Sequence, residues 1–66
     1  MAYQLTKFDA EGRKVADLGA FHSVISARNA MIENAGREPV ELPFHCPEIR
    51  IVEGWFIGRA EYNITF

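Results

Sequence analysis

The sequence has one cysteine, Cys46, and two histidines, His22 and His45, among 66 residues. A lone thiol excludes an internal disulfide. His22, His45 and Cys46 also lack the paired spacings of a zinc site, so no bound metal is expected. His45 and Cys46 are chain neighbours, and neighbours in extended chain point to opposite faces. They cannot work as a base and its nucleophile, and the expectation is a small buried thiol beside a surface imidazole. Basic residues are few as well: seven Lys and Arg against nine Asp and Glu, a net charge of −2. Such a balance is not that of a chain built to track phosphate backbones. No apolar run approaches the roughly 18 residues of a membrane span. The segment Met1–Lys7 lacks the basic-then-apolar order of a secretory leader. With the free thiol, this sets the expectation of a cytoplasmic protein without a membrane partner.

Catalytic motifs are missing too. Gly54-x-x-x-Gly58 lies in strand context with no helix after it to receive a phosphate. No pair of carboxylates stands out, although Glu48 and Glu61 are placed to face each other on the outer sheet surface. The expectation is therefore no enzyme and no cofactor.

What is present is ordinary globular material, 48% apolar and 24% charged. A chain of this length makes one domain, residues 1–66, which buries only about 60% of its unfolded surface. Residues 2–8 read as a strand. Asp9-Ala10-Glu11-Gly12 suits a type I turn with a left-handed last residue, and residues 13–18 return as a second strand. Ser23 is a natural N-cap for a helix from Val24 to Ala35, and Gly36 is its stop. Val24, Ile25, Ala27, Met31, Ile32 and Ala35 share one helical face. Pro39, Pro43 and Pro47 turn residues 39–47 into an irregular connection. Residues 48–52 alternate as a strand, Glu53-Gly54 can form a two-residue turn, and residues 55–66 run on with a period of two. The expected fold class is α+β: a single helix packed on a four-stranded antiparallel sheet, in the order strand, strand, helix, strand, strand, with the last strand against the first. The even-numbered face of residues 55–66 then meets the helix. The core would comprise Leu5, Val24, Met31, Ile32, Ile49, Ile51, Phe56, Tyr62 and Ile64.

Two features stand above this background. Arg28 falls in the middle of the apolar face of the helix. Either its stem packs while the guanidinium reaches water, or it is a paired or functional arginine with Asp17 or Glu41 as partner. The second feature is Val52, Trp55 and Ile57, flanked by Arg50 and Arg59. On the odd-numbered face this cluster is a partner-binding patch, since Trp and Arg are enriched at interface hot spots. Two alternatives stay open: residues 37–47 fold over it, or the register shifts and Trp55 joins the core.

The Asp9–Gly12 hairpin, the Phe21-x-Ser23-x-x-x-Ala27 helix start and the Gly54-Trp55 turn ahead of Tyr62-x-Ile64 resemble small accessory proteins of bacteriophages and mobile elements, of the anti-CRISPR type. The resemblance implies a non-catalytic protein-binding module that inhibits a host nucleic-acid-processing enzyme. Its partner would be that enzyme or a second copy of the chain. The alternatives are a nucleic-acid-binding domain using Lys7, Arg13 and Lys14 of the first hairpin, and a structural homo-oligomer.

Overall fold

The computed structural model describes residues 2–66. Its chain order is β1 (Tyr3–Phe8), β2 (Lys14–Phe21), α1 (Val24–Ala35), β3 (Phe44–Cys46), a single 3-10 turn (Pro47–Ile49), β4 (Ile51–Ile57) and β5 (Ala60–Thr65). The fold is α+β with one helix, and the antiparallel sheet has five strands rather than four, in the order β2-β1-β5-β4-β3.

The first hairpin forms where the turn residues place it. Asp9 Oδ1 accepts hydrogen bonds from the backbone N–H groups of Glu11 and Arg13, at 3.0 and 2.9 Å. Gly12 takes the left-handed conformation, φ +81°, which is nearly free of strain only for glycine. The helix begins at Ser23, whose hydroxyl oxygen accepts the Ser26 N–H at 3.1 Å. It ends at Gly36, where φ is +77° and the N–H donates back to the Ile32 carbonyl.

The fifth strand is β3. Prolines lack the N–H that a central strand must donate, but Pro43 and Pro47 flank β3 at the sheet edge, where that loss is tolerated. The segment 47–49 is a 3-10 turn rather than a strand, so Ile49 is 64% exposed and lies outside the core.

The larger difference concerns the second hairpin. Glu53-Gly54 is no turn; both residues lie inside β4. The chain reverses at Gly58-Arg59, with Ile57 opposite Ala60 and Trp55 opposite Tyr62. Only Gly58 of the two has positive φ, +63°, the pattern of a type II′ turn. A two-residue turn pairs odd-numbered residues of one strand with even-numbered residues of the next. The helix-facing set is therefore odd in β4 from Glu53 onward and even in β5; a bulge between Ile51 and Glu53 sets Ile51 opposite Thr65 instead. The core beneath α1 contains Leu5, Ala27, Met31, Trp55, Ile57, Tyr62 and Ile64. Leu5, Met31, Tyr62 and Ile64 occupy the expected places, and Val24 and Ile32 pack at its edge. Ile51 is buried but stands apart from this cluster. Phe56, expected inside, is on the opposite face.

Candidate protein-binding face

The turn position decides where the predicted partner-binding residues lie. Trp55 and Ile57 are 8% and 6% exposed, so they are core residues under the helix and not a contact patch. Val52 is half-buried, whereas Arg50 and Arg59 are exposed. Arg59 sits in the β4–β5 turn. Arg50 follows the 3-10 turn in the left-handed conformation, φ +64°, the only non-glycine residue with positive φ among the described residues. The alternative in which the register shifts and Trp55 joins the core is the one the structure adopts.

Arg28 is a paired arginine, but its partner is Glu53 rather than Asp17 or Glu41. Its Nη2 lies 2.7 and 2.9 Å from the two carboxylate oxygens, and its Nε donates at 3.2 Å. Asp17 instead pairs with Lys14 and accepts from the Gln4 amide. Glu53 escaped notice as a partner because Glu-Gly imitates a hairpin turn.

The helix covers one face of the sheet and leaves the other open. That open face is floored by Gly54 of β4, Asn63 of β5 and Thr6 of β1, which are cross-strand partners. The Phe44 ring from β3 lies directly over Gly54, and a Cβ at Gly54 would stand inside the ring. The same ring packs against Phe56, with centroids 5.4 Å apart and planes tilted by 34°. Phe56 is 45% exposed, and the neighbouring connection shows Val40 at 97% and Leu42 at 90% exposure. Val40 and Phe56 line one small cavity of about 220 Å³ together with Glu38 and Glu41. Glu61, the cross-strand partner of Phe56, adds a third carboxylate. None of the three forms an ion pair among the described residues. Arg37 is the cation on this edge.

No protein-family model, curated protein or solved structure matches this chain. The functional reading therefore rests on the residues themselves. Among the described residues, no three His, Cys, Asp or Glu side chains gather as a metal would require. His45 is exposed and its Nδ1 lies against the Val52 carbonyl, while Cys46 is half-buried with its Sγ 3.5 Å from a Glu48 carboxylate oxygen. No helix among the described residues is long and apolar enough to cross a membrane.

The signal that could have located this face was the turn preference. A type II′ turn needs glycine first, which Gly58-Arg59 supplies; Glu-Gly would place a glutamate in the left-handed region. Choosing the second turn moves Phe56 outward and Trp55 inward in one step.

Proposed function

We propose that this chain is a non-catalytic protein-binding module whose working surface is the helix-free face of the sheet. The observation that carries the reading is the exposure of Phe56, which packs on the Phe44 ring, together with Val40 of the adjoining connection, which lines the same cavity. Burying each such side chain against a partner contributes roughly 1.5–3 kcal/mol. The partner is a protein surface with an apolar centre and a lysine- or arginine-rich rim, because Glu38, Glu41 and Glu61 border the patch. A second copy of the chain fits less well: a two-fold axis through the patch would bring like carboxylates together. Nucleic acid fits less well for the same reason. A basic rim is what a nucleic-acid-processing enzyme presents, so an inhibitor of such an enzyme is the specific form of this proposal.

The test compares the natural chain with Val40→Ser and Phe56→Ser in pull-downs from host lysate, alongside thermal melts. The expected result is a basic protein retained by the natural chain, lost with Val40→Ser at unchanged melting temperature and with Phe56→Ser at temperatures where it remains folded, and weakened by added salt. Retention of the same proteins by the variants, or self-association of the natural chain in sedimentation, overturns it.

A further inference from the structure

At the end of the sheet, the β1–β2 turn, the β4–β5 turn and the C-terminal end of α1 surround an open groove of about 730 Å³. That volume lies in the range of small-molecule sites. Its lining includes Lys7, Asn34, Arg37, Ile57, Arg59 and Tyr62. We propose that this groove binds a small organic anion with a flat apolar body, of nucleoside-monophosphate size.

The argument begins with charge. Lys7, Arg37 and Arg59 come from three separate parts of the chain and share the groove, yet none forms an ion pair among the described residues. Of the acids lining the same groove, Asp9 is committed: its Oδ1 already accepts two backbone N–H groups of the turn. Both acids keep their charge, so the lining carries three cations against two carboxylates, Asp9 and Glu11. The C-terminal end of the helix, with its partial negative charge, lets those cations gather in the empty groove. A bound anion with several oxygens satisfies them more fully, since guanidinium groups match phosphate and carboxylate in fork geometry.

The Arg37 guanidinium lies against the β4–β5 turn. Its Nη2 lies 2.6 Å from where a Cβ at Gly58 would stand. Gly58 therefore serves the turn and clears the space for the guanidinium. Tyr62 donates its hydroxyl proton to Asn34 Oδ1 at 3.0 Å, which occupies the amide acceptor and leaves the NH₂ donors uncommitted. Lys7 Nζ stands 5.7 Å from the Tyr62 ring centroid, so a cation, an aromatic ring and an amide donor are neighbours. Phe8 and Val15, which is 55% exposed, supply apolar wall for a ring.

The groove shares Arg37 with the edge of the protein-binding face, but its test needs no protein partner. Amide and side-chain NMR shifts of the natural chain are followed at low salt with AMP, adenosine and inorganic phosphate as separate probes. AMP is expected to move the Asn34 side-chain amide and the Gly58 amide, with a dissociation constant on the order of 0.1–1 mM. Adenosine and phosphate should each bind about tenfold weaker or less. The R37Q/R59Q double variant, altered only at exposed side chains, should keep its melting temperature and lose AMP affinity about tenfold. Equal affinity for AMP and adenosine, no response to AMP, or an unaffected double variant overturns the proposal.

Discussion

Arg28 and Glu53 face each other across the helix–sheet boundary in a two-pronged ion pair, and Trp55 takes part in it twice. The Trp55 indole Nε1 donates to Glu53 Oε1 at 3.1 Å, and the Arg28 guanidinium carbon lies 5.4 Å from the indole centroid. Glu53 thus holds a helix residue and a strand residue with one carboxylate. The Glu53 side chain is the more buried partner, so the cost of removal falls unequally.

Glu53→Ala should destabilise by about 2 kcal/mol, because it strands a guanidinium and an indole N–H at once. Arg28→Met should cost at least as much, since it keeps the stem packing but leaves the more buried Glu53 carboxylate without its counter-charge. Denaturant melts of both single variants and of the double should show a coupling of roughly 1 kcal/mol. Additive effects would show that the pair contributes nothing beyond packing.

Gly54→Ala should destabilise by about 2 kcal/mol, because the new methyl group enters the space of the Phe44 ring. In Phe44→Ala the space is open, and adding Gly54→Ala there should cost under about 1 kcal/mol. An equal cost in both backgrounds would remove the ring as the cause.

Asn63 is buried, and its Oδ1 has no hydrogen-bond partner among the described residues. Asn63→Val should raise stability by about 1 kcal/mol, as the unpaired acceptor disappears and a β-branched residue enters a central strand. A lower melting temperature would show that the amide is satisfied in solution.

Ile64→Ala and Trp55→Ala should each cost about 3–5 kcal/mol, enough to unfold much of a domain this small. Thermal melts read this directly, and an unchanged midpoint for Trp55→Ala would return Trp55 to the surface.

Much of this architecture is legible from local chemistry. Asp9, Gly12, Ser23 and Gly36 each mark a boundary because each satisfies a backbone group or a backbone angle within a few residues of itself. The pairing of β5 with β1 is expected from the order of the elements rather than from any local signal, and it forms. What stayed hidden depended on distant partners. Glu53 looks like a turn residue until Arg28, 25 positions away, is seen to need it. The three-residue β3 is too short to show a period, and only its pairing with β4 reveals it. The proposed contact face then depended on one choice of turn, since moving the reversal from Glu53-Gly54 to Gly58-Arg59 exchanges Trp55 for Phe56. Arg28 was the site residue whose anomaly was plain from its position alone.

The placement of β5 between β1 and β4 carries a kinetic consequence. The β1–β2 hairpin and the β3–β4–β5 meander are each assembled from near neighbours, and such hairpins close in about 1–10 μs. The seam that joins them pairs Gln4 with Thr65, and the Thr65 hydroxyl donates to the Gln4 carbonyl across a separation of 61 residues. On a ribosome, the first hairpin and helix must therefore wait, with Leu5 and Met31 uncovered, until β5 has left the exit tunnel. Closure of that seam, with its large sequence separation, is the step expected to be slowest, and it is the stage at which a holding chaperone would have an unfinished hydrophobic surface to grip.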